Sequence, residues 1–148
     1  MYKKILAPLD GSRTSEAILD HVVGLAQLSG AAIYLLEVLE PLPQHAAVGA
    51  PSLLAEGANQ RATGVRHYVS EQADQLRARG FTVEPLVRRG GVVDMIVRTA
   101  EELQVDLIAM ASHGATGFAR FIYGSVAADV LHRTAVPMLI LRVEPNEN

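Results

Sequence analysis

The chain has 148 residues, 49% hydrophobic and 20% charged, the composition of one globular domain with a sizeable core and not of a disordered segment. Lys plus Arg is 13 against 16 for Asp plus Glu, a net charge of -3, so nothing draws the chain to nucleic acid or an anionic membrane. There is no cysteine, which excludes disulfides, thiolate metal sites and a cysteine nucleophile.

The amino terminus runs straight into a strand pattern, with no apolar leader and no window of membrane-spanning length, so the expected compartment is the cytoplasm. Lys4 to Leu9 reads as a buried first strand, with Pro8 tolerated near its end. Asp10-Gly11-Ser12 follows as a turn. A first helix is expected over Thr14 to Ser29, with Ala17, Ile18, Val22, Leu25 and Leu28 inward and Gly30 as its stop. Ala31 to Leu39 is the second strand. Glu40 to Ala58 holds three prolines and two glycines without a sustained period, so it reads as a long loop with at most a helical turn near Ser52 to Ala55. The second helix spans Asn59 to Arg79, with Ala62, Val65, Val69, Ala73 and Leu76 on one face.

Thr82 to Val87 is the third strand, and Arg88-Arg89-Gly90-Gly91 its exit loop. A third helix covers Val92 to Leu103, with Val93, Ile96, Val97, Ala100 and Leu103 inward. The fourth strand is Asp106 to Ala111. A small, glycine-rich run follows, Ser112-His113-Gly114-Ala115-Thr116-Gly117. Nine residues separate Gly114 from Gly124, and Gly124-Ser125 opens a last helix to Arg133, with a start one turn earlier, within Ala119 to Tyr123, as the alternative. Pro137 introduces a fifth strand, Met138 to Val143.

Strands alternating with helices imply one parallel sheet covered on both faces. Ligands of such sheets bind beyond the strand carboxyl ends, where the strand order reverses. The loops there are Pro8 to Ser12, Val38 to Pro41, Arg88 to Gly91 and Ala111 to Gly117. The first and last carry the conspicuous small-residue clusters. A glycine loop leading to Gly124-Ser125 at a helix start has the shape of an anion cradle, because backbone N–H groups and the positive helix end face the ligand. The same residues also suit a plain surface loop in which Ser125 caps a helix. Asp10 likewise suits a turn, and His113 a polar loop position.

The stretches K-K-I-L-A-P-L-D-G-S, D-L-I-A-M-A-S-H-G, G-S-V-A-A-D-V-L and V-P-M-L-I-L-R together resemble the universal stress protein family over nearly the whole chain. The resemblance includes that family's ATP pattern: Gly, two residues, Gly, nine residues, then Gly followed by Ser or Thr. It implies an open five-stranded parallel sheet of order 3-2-1-4-5, Rossmann-like and akin to the adenine nucleotide alpha hydrolases. It also implies a homodimer and ATP as ligand, with or without Mg2+. Carried over by position, Pro8 and Asp10 lie by the nucleoside, Val38 offers backbone groups to adenine, and Met110 lines the base pocket. His113, Gly114, Gly124, Ser125 and Val126 cradle the phosphates. Ala111 stands where the pattern has its first glycine, a departure that bears on affinity more than on fold.

Two function classes follow: an adenine-nucleotide-binding stress or signalling module with at most slow hydrolysis, or a dimeric interaction protein that works without nucleotide. A phosphoryl-transfer enzyme is disfavoured, since G-x-x-x-x-G-K-[ST] is absent and no lysine follows Lys4. None of the five histidines has metal-ligand spacing. Met138 to Val143, an apolar edge strand, is the expected dimer contact.

Overall fold

The computed structural model of the chain describes residues 1–42, 51–112 and 125–143. Among them, β1 (Lys4–Leu9), β2 (Ala32–Leu39), β3 (Val83–Arg89), β4 (Leu107–Ala111) and β5 (Met138–Leu141) form one sheet. The helices are α1 (Arg13–Glu16), α2 (Ile18–Ser29), α3 (Pro51–Ala78), α4 (Val92–Leu103) and α5 (Ser125–Arg133). Every strand pair is parallel and the order is β3-β2-β1-β4-β5, as the resemblance implied.

Strands buried on both faces need apolar side chains at odd and even positions alike, which is how β1, β2 and β4 read. Ile5, Ala7, Ile33 and Leu35 point to one face and pack with Ile18, Val22, Val69 and Ala73 of α2 and α3. Leu6, Leu36, Ile108 and Met110 point to the other and pack with Ile96, Val97 and Val130 of α4 and α5.

The first expected helix is two helices meeting at Ala17, where φ −57° and ψ −24° keep the backbone right-handed. Gly30 ends α2 in the left-handed conformation at φ 72°. Leu28, expected inward, is 79% exposed, and Leu19, Val23 and Ala26 are buried instead. At 3.6 residues per turn, Leu28 lies about 80° around the helix from Ile18, off the core-facing stripe.

The long loop expected over Glu40 to Ala58 is largely wrong where it is described. The helix expected from Asn59 is already present at Pro51, the first described residue after 42. Its opening turns show no apolar period because they bury no apolar face; Leu53 is 67% exposed. Residues 43–50 lie outside the described set. At β3, Arg88 and Arg89 belong to the strand, opposite Val38 and Leu39, and not to the exit loop. The fifth strand, expected to reach Val143, ends at Leu141; Arg142 and Val143 are described and lie outside it.

Candidate functional site

The strand order reverses between β1 and β4, which pair through Ile5–Leu107 and Leu6–Ile108. Their exits therefore flank one crevice at the carboxyl end of the sheet. On the β1 side, Asp10-Gly11-Ser12 is a tightly bonded turn. The Asp10 Oδ1 accepts from the Ser12 N–H at 3.0 Å and from the Ser12 hydroxyl. Ser12 caps α1, its Oγ accepting from the Ser15 N–H at 3.1 Å. The buried Ser15 hydroxyl donates to the Ser12 carbonyl at 2.9 Å and accepts from the Asp10 N–H at 3.2 Å. Gly11 sits at φ 83°, a conformation that side-chain-bearing residues avoid. The turn-shaping part of Asp10 and the capping of this helix are thus both visible, with Ser12 as the cap.

Pro8 is buried in β1 beside Leu36, and Asp10 is exposed just beyond the strand. Val38 of β2 and Val126 of α5 are partly buried against the same apolar cluster that contains Met110, 6% exposed. Ser125 is the exposed first residue of α5. The fold thus brings Val38, Met110 and Val126 together on the α4–α5 face, with Asp10 at the neighbouring strand exit. His113, Gly114 and Gly124 lie outside the described residues. Ala111 is the last residue of β4, opposite Leu141, and its φ is not positive. Alanine in place of the pattern's glycine therefore adds a methyl group without backbone strain.

Two crest residues escaped the sequence reading. Ser112, just after β4, has a buried Oγ with no hydrogen-bond partner, while its N–H donates to the Leu141 carbonyl at 2.8 Å. Glu37 of β2 is 8% exposed and its Oε2 also lacks a partner. Burial, and after it the nearby Asp10 carboxylate, push the Glu37 carboxyl up to about 7. Its signal was present in the sequence: one acid inside the apolar run A-I-Y-L-L-E-V-L. On α3, the Tyr68 hydroxyl donates to Glu16 Oε1 at 2.7 Å, and burial followed by that bond holds its ionisation above the usual tyrosine range.

Both lysines stand at the opposite end of the sheet. The Lys4 Nζ donates to the Leu103 carbonyl at 2.9 Å, and the Lys3 N–H donates to the Asp106 carboxylate. A cavity of about 490 Å³ lined by Gln27, Gly30, Arg79 and Phe81 lies at that amino end too, the wrong end for a ligand of a parallel sheet. A smaller recess of about 180 Å³ opens at the crest between Leu39, Leu42, Ala58, Arg61 and Arg89. No three His, Asp or Glu side chains among the described residues converge as metal ligands, and no described helix is long and apolar enough to cross a membrane.

The model of the Universal stress protein family matches residues 1–142. Universal stress protein MJ0577 of Methanocaldococcus jannaschii is 30% identical over 96% of this chain and 96% of its own length. A solved structure of MJ0577 superposes with a TM-score of 0.86, covering 99% of each chain at 30% identity. Two more distant structures share the fold. One is a universal stress protein in complex with cAMP, with TM-score 0.70, 24% identity and coverage of 97% of this chain and 98% of that one. The other is the Archaeoglobus fulgidus universal stress protein in complex with dAMP, with TM-score 0.62, 20% identity and coverage of 95% and 97%. The family match over residues 1–142 and the full-length likeness to MJ0577 in sequence and fold mean that the chain belongs to the universal stress protein family.

Proposed function

We propose that the chain is a single-domain module that binds an adenine nucleotide, ATP, in the crevice between the Asp10 turn and the β4 exit, and acts as a cytoplasmic homodimer in stress response or signalling. The observation that carries this reading is the adjacency of β1 and β4 where the strand order reverses, with α5 opening at Ser125 beyond β4. Nucleotides bind doubly wound sheets at that reversal, and helix amino ends attract phosphate.

Pro8 and Asp10 hold the nucleoside, the Val38 backbone meets adenine, and Met110 lines the base pocket. Ala111 lies under the sugar, and Ser125 and Val126 give N–H groups to the phosphates together with His113, Gly114 and Gly124. A Mg2+ arriving on the phosphates keeps several waters and needs no dedicated protein cage. The complexes with cAMP and dAMP belong to the two distant family members, and here they support an adenine ligand in general terms.

Turnover is expected to be slow or nil. With both lysines at the amino end of the sheet, no ammonium reaches a transferring phosphate. Binding that is equal in ground and transition states does not accelerate the reaction.

The test is what the isolated protein carries. Mass spectrometry of the heat-released supernatant should find ATP, and calorimetric titration of the emptied protein should give saturable binding. No nucleotide and no heat in a folded dimer would favour the nucleotide-independent interaction protein.

A further inference from the structure

One buried carboxyl on the far side of the sheet has no task in the nucleotide reading. Glu37 alternates with Ile33 and Leu35 and lies in register with Val87, all packed on the α2–α3 side, so it points away from the face of Val38, Met110 and Val126. It is 8% exposed, and its Oε2 has no hydrogen-bond partner. Unpaired buried polar atoms are rare and call for an account. Its place is behind the Asp10 turn. Register sets it beside Leu9, the residue before Asp10, and a Cβ built on Gly11 would stand 3.8 Å from Glu37 Oε1.

We propose that Glu37 is a positioning residue for the nucleotide crevice: neutral, it supports the Asp10-Gly11-Ser12 turn from behind, and ionised it displaces that turn and weakens nucleotide binding. This rests on the nucleotide reading above and names the group that makes its affinity depend on pH.

The groups around the turn give the direction. From the β1 exit, the Asp10 carboxylate acts on Glu37. α1 brings Glu16, whose Oε1 accepts from the Tyr68 hydroxyl of α3 at 2.7 Å, and the three acids together act on that hydroxyl. α2 and β3 turn apolar residues to this side, Ile18, Val22 and Val87. Neither Glu16 nor Glu37 forms an ion pair with a described residue. A neutral carboxyl is tolerated in such a place; a carboxylate without a donor or a cation is costly and moves towards water. Burial, and after it the Asp10 charge, push the Glu37 carboxyl up to about 7. The Gly11 backbone, at φ 83° and without a side chain, stands against that carboxyl and is the part of the turn that yields. Asp10 moves with it, and Asp10 is the residue assigned to the nucleoside. Protonation of Glu37 and nucleotide binding then favour each other.

Calorimetric titration of the wild-type protein and Glu37→Gln with ATP, at about pH 5.5 and about pH 8.5, tests it. Glutamine keeps the shape of the neutral carboxyl, so the two proteins should bind alike at the lower pH. At the higher pH the wild type should bind at least about threefold more weakly, within the roughly tenfold that one unit of pKa carries. ATP and the five histidines titrate in both proteins, so the difference between them belongs to residue 37. Without nucleotide, the Gly11 amide resonance of the wild type should titrate at a pH of about 7, and that of Glu37→Gln should not. An affinity ratio that is the same at both pH values, or a Gly11 resonance that does not titrate in the wild type, overturns the role of Glu37 and leaves nucleotide binding standing. Absence of ATP binding by the wild type at both pH values overturns the nucleotide reading and this role with it.

Discussion

Glu37 makes stability depend on pH in a direction opposite to that of an ordinary paired carboxylate. Its folded value of about 7 lies above the ordinary 4.5 because burial, and then Asp10, disfavour the charged form. Below about 4.5 it is protonated in the folded and unfolded chain alike and costs nothing. Between 4.5 and 7 the unfolded chain ionises first, so folding loses stability as pH rises; above 7 the penalty is complete. The shift corresponds to about 3 kcal/mol at most. Glu37→Gln cannot ionise. Its melting temperature should exceed that of the wild type above pH 7, and the gap should close towards pH 4.5. A constant gap across that range would mean that Glu37 is not the titrating group. Ala111 supports a second expectation at this scale. Its φ is not positive and it belongs to the β4 ladder, so Ala111→Gly restores the family pattern without relieving strain. ATP affinity should change less than about threefold, while stability falls by about 0.5–1 kcal/mol from added backbone freedom. A large gain in affinity by titration would show that the methyl group obstructs the ligand. Asp10 was legible in the sequence because an Asp-Gly-Ser turn after a strand has a chemistry of its own. Glu37 was not read, because an apolar run is scored as a whole and a single acid within it was passed over.

At the scale of elements, legibility followed burial. β1 and α4 begin and end where their apolar pattern does, and α4 buries Ile96, Val97 and Ala100 as its spacing predicts. The opening of α3 was missed for the converse reason: it buries little, so it left no period to find, and proline and glycine together read as loop. Gly57 and Gly64 sit within the helix where a Cβ would meet nothing within 4 Å, so helix propensity is the sole cost of each. The turn between β3 and α4 is a different case. Gly90 adopts φ 144°, its N–H donates to the Leu39 carbonyl at 3.1 Å, and a Cβ there would lie 3.1 Å from Met95 Cγ. Gly91 precedes α4 at φ −68°, with only an ordinary contact to Asp94 at 3.5 Å. Gly90→Ala should therefore cost about 1–3 kcal/mol in backbone strain, and Gly91→Ala less than about 1 kcal/mol. Urea unfolding of the two variants checks it; equal midpoints would contradict the strain argument.

At the scale of the whole molecule, the sheet has two edges, and the chain treats them differently. β3 carries Glu84, Pro85, Arg88 and Arg89, the charges and the missing N–H that discourage a further strand from pairing. Among the described strands β5 pairs with β4 alone; it reads Met-Leu-Ile-Leu, without a charge, and Ile140 is 40% exposed while the other three are partly buried. The strand order and the apolar fifth strand were legible in the sequence, one through the family resemblance and the other through composition. Among the described strands nothing pairs with the outer edge of β5, and we propose that a second copy related by a two-fold axis covers it. In such an interface each residue appears twice, so one substitution places two like charges near the axis. Ile140→Glu should leave the fold intact, because its side chain is far from fully buried, yet should separate the copies. Light scattering at high micromolar concentration should give twice the 15.9 kDa chain mass for the wild type and the single mass for the variant. ATP affinity of the separated chain should stay within about threefold of the dimer's, because every crest residue assigned to the nucleotide comes from one chain. A monomeric wild type, or a variant that stays dimeric, would remove β5 as the contact. A variant that is monomeric and no longer binds ATP would mean that the second copy completes the site.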